Sequence, residues 1–197
     1  MRCFVALDLP VPVKNHIVKT VAPLRERHQV KWVDRDQLHL TLLFAGELPE
    51  ENLRPLTDAV AGVHLPPLQL SLDRFGCFPP RGMPRVLWVG LGGDVDALAT
   101  LHAELERLTL PLGVEREKRG FTPHVTIGRI KGPFGALALL DRMKEASTEL
   151  NQKPFAPTRL AVYLSTLAPG GPRHERHYAR DVPSAEMPAD DLTPDRD

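Results

Sequence analysis

Cysteine is scarce in this chain: its 197 residues include two, Cys3 and Cys77, and neither belongs to a Cys-x-x-Cys pair. Two thiols are too few for a disulfide framework. Aromatic residues make up only 6% of the sequence, against twenty prolines, which suggests many short connections rather than a long helical bundle. Hydrophobic runs are short, and none approaches the roughly 18 residues that a membrane-spanning helix needs. The opening MRCFVALDLP has neither the long apolar stretch nor the small-residue cleavage site of a signal peptide, so the expected compartment is the cytoplasm. Net charge is lacking too: 25 basic and 25 acidic side chains sum to zero, which argues against a protein that coats nucleic acid by bulk electrostatics.

That zero hides an asymmetry. From Ser184 onward five acids stand against one base, leaving 24 bases and 20 acids in the remainder. Low hydrophobicity, proline and clustered acids mark residues 183–197 as an acidic, disordered tail. Residues 1–182 are expected to form a single domain, a length that supports one core or two small lobes sharing one.

The chain itself reads as strands and helices in irregular alternation. Cys3 to Leu9 is an apolar first strand, and Pro12 opens a helix running to about His28, with a kink expected at Pro23. Short strands follow at Val30 to Val33 and Leu38 to Phe44, around the turn at residues 34–36. Pro49-Glu50-Glu51 starts a second helix, with Leu53, Leu56, Ala59, Val60 and Val63 on one face. Strands are expected at Leu68 to Leu72 and Arg85 to Leu91, across a Gly/Pro-rich loop from Gly76 to Pro84. Asp94 reads as the N-cap of a helix through Leu108, with Ala97, Leu98, Leu101, Leu105 and Leu108 inward. A strand at Thr122 to Ile130 precedes a helix from Phe134 to Leu150 using Leu137, Leu140, Met143 and Leu150. Two last strands, near Arg159 to Thr166 and His174 to Val182, flank a turn at residues 169–172. Irregular crossovers and hairpin-like pairs point to an α+β fold rather than a doubly wound parallel sheet.

Two of these strands share a pattern. Leu38-His39-Leu40-Thr41-Leu42 matches Pro123-His124-Val125-Thr126-Ile127, with the histidines 85 positions apart. In a strand, residues i and i+2 point the same way, so each copy presents an imidazole beside a hydroxyl over an apolar opposite face. Eight histidines and eleven threonines give roughly half a His-x-Thr match by chance, so one copy says little. Two copies with matching apolar partners, one in each half of the chain, are much harder to attribute to chance.

Phosphodiester hydrolysis is a chemistry that wants two copies. In-line displacement at phosphorus needs a base beside the entering oxygen and an acid beside the departing one. Imidazoles, with ordinary pKa near ~6.5, allow one neutral and one protonated form near neutrality. Each threonine hydroxyl can donate to a non-bridging phosphate oxygen. The reading requires no metal and no nucleotide cofactor.

These motifs and their flanks resemble a known family. RCFVALDLP, WVDRDQLHLTLLFAGE, RVLWVGL and FTPHVTIGRIK are similar, in order and spacing, to segments of the 2H phosphoesterase superfamily and its RNA 2′,3′-cyclic phosphodiesterases, also called 2′-5′ RNA ligases. Val162-Tyr163-Leu164-Ser165 only approximates a Leu-Tyr-x-Ser pattern seen near the family's C-terminus, and the resemblance covers residues 2–181. It implies a bilobal fold with two mainly antiparallel sheets facing a central cleft and helices outside. It also implies opening of RNA 2′,3′-cyclic phosphates to 2′-phosphomonoesters, with ATP-independent 2′-5′ ligation in reverse. His39, Thr41, His124 and Thr126 then hold the phosphate, with His124 as base and His39 as acid. RNA ending in a cyclic phosphate, such as a tRNA half, is the expected partner of a monomeric, membrane-free enzyme.

Arg129 resembles a family arginine beside the phosphate, but strict alternation would turn it away from Thr126, so a bend is needed. Phe44, and less clearly Trp32, are candidates to stack on a terminal base. Arg74, Arg81, Arg85, Arg116, Lys118 and Arg119 are candidates for a basic rim. His174 and His177 lack the further ligands of a metal site. Two other functions remain open: a phosphodiesterase of small cyclic nucleotides, 2′-5′ oligoadenylates or ADP-ribose cyclic phosphate, and a non-catalytic module that binds RNA 3′ ends.

Overall fold

The computed structural model describes residues 1–27, 30–117, 120–150, 153–168 and 171–184. Eight strands and four α-helices alternate along these segments: β1 (Arg2–Asp8), α1 (Val11–Val21), β2 (Val30–Trp32), β3 (His39–Glu47), α2 (Leu53–Gly62), β4 (Leu70–Phe78), β5 (Val86–Gly93), α3 (Val95–Thr109), β6 (His124–Ile130), α4 (Ala136–Ala146), β7 (Arg159–Ala168) and β8 (Gly171–Asp181). The strands form one sheet in the order β4-β5-β6-β3-β1-β7-β8, with β2 pairing β6, and every pairing among the described residues is antiparallel. The two expected sheets are thus halves of one, joined where β3 meets β6 at a single residue pair, Leu40 with Val125.

Apolar alternation decides which face is covered. Leu40 and Leu42 in β3, and Val125 and Ile127 in β6, are buried. They share a hydrophobic core with Leu56 and Val60 of α2, Leu98, Leu101 and Leu105 of α3, and Leu139 and Met143 of α4. Burial of one such leucine contributes on the order of 1.5–3 kcal/mol. None of these helices is long and apolar enough to cross a membrane.

Several elements differ from the sequence reading. Helix α1 ends at Val21 and tightens into a 3₁₀ turn over Ala22–Arg27, because Pro23 has no N–H to continue the α ladder. Helix α4 starts two residues later than expected and leaves Phe134 and Leu137 exposed; its buried face is Ala136, Leu139 and Met143, and Ser147–Leu150 forms a 3₁₀ turn. Asp94 does precede α3, yet its carboxylate accepts the backbone N–H of Gln69 at 2.7 Å instead of capping the helix. Strand β4 extends through Gly76–Phe78, into the segment expected as loop. The turn at residues 169–170, His28, Lys118, Arg119 and the acidic segment 185–197 lie outside the described residues.

One of those extra strand positions shapes the site. A Cβ on Gly76 would sit 2.2 Å from the Trp88 ring of β5, so only glycine lets the indole lie across the strand beside it. Replacing Gly76 with alanine is expected to displace Trp88 and lower stability by about 1–3 kcal/mol, read as a reduced denaturant midpoint with an unchanged m-value.

Candidate active site

The single β3–β6 pair sets the geometry. Extending its antiparallel register by one residue each way places His39 across from Thr126 and Thr41 across from His124. All four side chains are half-buried and alternate with fully buried apolar neighbours. The two motifs therefore form one quartet on the face away from the helices.

Each motif then departs from regular alternation in the same way. Against β1, Ala6 pairs Thr41 while Val5 pairs Leu43, so Leu42 is an extra residue in β3. Against β5, Trp88 pairs Thr126 while Leu87 pairs Gly128, so Ile127 is an extra residue in β6. A bulge inserts one residue and reverses which side chains face which way beyond it. Phe44 and Arg129, each three positions after its threonine, are thereby turned onto the threonine face and line the same cleft. The bulge supplies the bend that Arg129 needs.

The histidines are held alike. His39 donates its Nδ1–H to the Gln37 carbonyl at 2.6 Å, and His124 donates its own to the Thr122 carbonyl at 2.7 Å. A carbonyl only accepts, so Nδ1 carries the proton in both and Nε2 is the atom left for chemistry. Rings pack around each. Phe4 stacks on both His39 (4.9 Å) and Tyr163 (5.2 Å), which lie 6.2 Å from each other, and His174 meets Phe4 and His39 edge-on at 4.8 and 5.6 Å. Phe78 stands edge-on to His124 at 5.0 Å, with Trp88 6.1 Å away.

Burial among these rings disfavours the imidazolium form. His39 is pushed down to about 4, chiefly by burial and only partly offset by its bond to the Gln37 carbonyl. His124 is also lowered by burial. Beneath His39, Tyr163 donates to the Asp8 carboxylate, and Arg176 lies 3.5 Å from it. The tyrosine hydroxyl is pushed up by burial and by that carboxylate. On the other flank, Lys14 reaches the Asp36 carbonyl at 3.3 Å.

A cleft of about 1060 Å³ opens over three of the four, lined by Thr41, His124 and Thr126 with Phe44, Phe78, His102, Arg116, Phe121 and Arg129, among others. His39 is not in that lining and sits deeper, among Phe4, Tyr163 and His174. Of the basic-rim candidates, Arg116 lines the cleft and Arg85 an adjoining hollow with Pro79 and Met83. Arg74 is instead paired with Asp73 at 2.6 Å, and Arg81 lines neither. Trp32 packs over Gly128 and under Arg25, away from the cleft. His174 joins the His39 cluster while His177 is exposed. Among the described residues no three potential metal ligands come together. Sequence reasoning missed Phe4, Asp8, Phe78, Trp88, His102 and Phe121, which carry no repeated motif and converge only through strand register.

Two paired antiparallel strands, each carrying a half-buried His/Thr pair, give the arrangement that the resemblance to the 2H phosphoesterases implies. The sequence profile of the 2′-5′ RNA ligase superfamily matches residues 11–166. The chain is 31% identical over 175 residues to the RNA 2′,3′-cyclic phosphodiesterase of Methanocaldococcus jannaschii, spanning 89% of this chain and 97% of that protein. It is 33% identical over 172 residues to the enzyme of the same name from Archaeoglobus fulgidus, spanning 87% and 95%. Its fold matches that of E. coli LigT solved with 3′-AMP, with a TM-score of 0.70 and 26% identity over 92% of this chain and 97% of that one. The chain belongs to the 2′-5′ RNA ligase superfamily.

The hydrogen bonds of the two histidines make a direct expectation. Nitrogen-15 spectra at pH 7 should show His39 and His124 neutral with the proton on Nδ1, whereas an exposed histidine favours Nε2–H. An Nε2–H signature for either would contradict this geometry.

Proposed function

We propose that this protein hydrolyses RNA 2′,3′-cyclic phosphate ends to 2′-phosphomonoesters by two-histidine acid/base catalysis. The observation that carries the reading is the Leu40–Val125 register, which sets His39 across from Thr126 and Thr41 across from His124, with His124 and both threonines lining the cleft and His39 behind them. The names of the curated relatives support the substrate. The cleft lies at the upper end of the ~300–1,000 Å³ common for small-ligand sites, which favours an RNA end over a free mononucleotide.

The chemistry follows from placement. His124 lines the open cleft, where water arrives, and its neutral Nε2 takes the proton of the attacking water. The new O–P bond forms as the P–O3′ bond breaks, and the phosphorus stays attached to O2′. His39, on the opposite strand, takes up a proton on Nε2 beside the anionic phosphate, keeps Nδ1–H on the Gln37 carbonyl, and gives the Nε2 proton to the departing O3′. Thr41 and Thr126 donate to the non-bridging oxygens, and Arg129 offsets their charge as it builds. Phe44, exposed by 64% at the cleft edge, offers a ring face to the terminal base. When an RNA 5′-hydroxyl replaces water as the attacking group, the same histidines act in the same roles, the P–O3′ bond breaks as before and a 2′-5′ linkage forms without ATP; by microscopic reversibility they exchange roles when that linkage is cleaved back to the cyclic phosphate.

In EDTA, a short RNA ending in a 2′,3′-cyclic phosphate should yield the 2′-phosphate isomer, resolved by chromatography. Replacing His39 or His124 by alanine should each lower kcat by about 10²–10⁴-fold, and Thr41→Ala or Thr126→Ala by roughly 10²-fold. Near-normal turnover in both histidine variants would refute the mechanism.

A further inference from the structure

The two bulges are alike in position and unlike in how they are held. In β6 the carbonyl of the extra residue, Ile127, accepts a backbone N–H from Val33 at 2.9 Å. In β3 the carbonyl of the extra residue, Leu42, accepts from a side chain: Nδ1 of His102, at 2.7 Å. His102 comes from α3, whose neighbouring positions Leu98, Leu101 and Leu105 are fully buried, so its backbone is fixed by the core. Its ring also lies flat on Phe121, 4.3 Å between centroids at 11°. Its Nε2 is 3.7 Å from Glu106, and the same Glu106 oxygen accepts the backbone N–H of Glu117 at 3.1 Å.

Phe44 reaches the cleft only because of the β3 bulge. Without the extra residue, alternation would return it to the helix-covered face. The bulge carbonyl is a polar group beside a buried strand, and losing its partner costs free energy. Its partner is therefore part of what keeps Phe44 where it is. We infer that His102 is a positioning residue for substrate recognition: bonded to the Leu42 carbonyl and stacked on Phe121, it locks the bulge that aims Phe44 into the cleft. This rests on the reading of Phe44 as a platform for the terminal base. His102 lies outside the acid/base pair and acts through binding.

Steady-state kinetics on a short RNA 2′,3′-cyclic phosphate separate the possibilities. His102→Asn keeps an N–H near the position of Nδ1, whereas His102→Phe keeps the ring on Phe121 and removes the donor. Phe44→Ala should raise KM about tenfold, the loss of one base stack. His102→Phe should raise KM by about as much and change kcat less than about threefold, while His102→Asn stays within about threefold of the parent in both. In a Phe44→Ala background, His102→Phe should add nothing further, the non-additivity of two residues acting through one contact.

Equal KM increases in the Asn and Phe variants, additivity with Phe44→Ala, or a fall in kcat in place of the KM effect would each overturn the proposal. If His102→Phe does not fold, a tenfold KM increase in His102→Asn alone overturns it. An unchanged KM for Phe44→Ala removes the platform reading and this proposal with it, and leaves the His39/His124 chemistry standing.

Discussion

One antiparallel pair, Leu40 against Val125, is the contact on which the cleft depends. β3 and β6 touch there and then diverge: β2 takes over the edge of β6 at Gly128–Ile130, while β3 continues along β1. A longer ladder would flatten the two halves into a continuous sheet, and its side chains would stand in parallel rows. No pairing at all would leave the two motifs without a common register. A single pair fixes the register of both strands and lets the halves open above it. Because strand side chains repeat every two residues, a slip of one position would send every imidazole and hydroxyl to the covered face. Both members of the pair are fully buried, so the core enforces the register that the chemistry needs.

The surroundings of the histidines oppose their charging. Stacked and edge-on rings exclude water from His39 more than from His124, and a neutral imidazole is the cheaper form in both places. An anionic phosphate entering between them reverses part of that cost, since it brings the charge that the imidazolium lacks in the free protein. The Asp8 carboxylate, paired in register with His39, is tied up by the Tyr163 hydroxyl and lies near Arg176. It therefore acts on His39 only at a distance. In the proposed mechanism, the free protein holds both imidazoles neutral and the substrate's own charge helps to protonate the acid.

Much of this was legible in the sequence because it depends on local periodicity. The apolar alternation in LHLTL and PHVTI announces strands with a polar face, and the duplication announces a shared purpose. The α+β class and the buried faces of α2 and α3 follow from the same kind of pattern. The failures are equally physical. Strict alternation turns Arg129 away from the cleft, and only a bulge, which needs a partner strand to be defined, brings it back. Leu137 looked like a core residue by spacing, but its helix begins late and presents Leu139 instead. Asp94 has the right residue type for a cap, yet its carboxylate is claimed by the backbone N–H of Gln69, just before β4 and 25 residues earlier in the chain. Phe4, His102 and Trp88 belong to no repeated motif, and only sheet order and the packing of α3 place them beside the two His/Thr strands.

The most direct test of a two-histidine cleft is the pH dependence of kcat/KM on an RNA 2′,3′-cyclic phosphate, which reports the free protein. The acid must hold its proton and the base must have lost it. With His39 near 4 and His124 lowered from 6.5, the profile should be a bell whose maximum lies between pH about 4 and 6.5. It should fall on either side, and His124→Ala and His39→Ala should each abolish one limb. A pH-independent rate, or an optimum well above pH 7 with both limbs intact in either variant, would contradict the account.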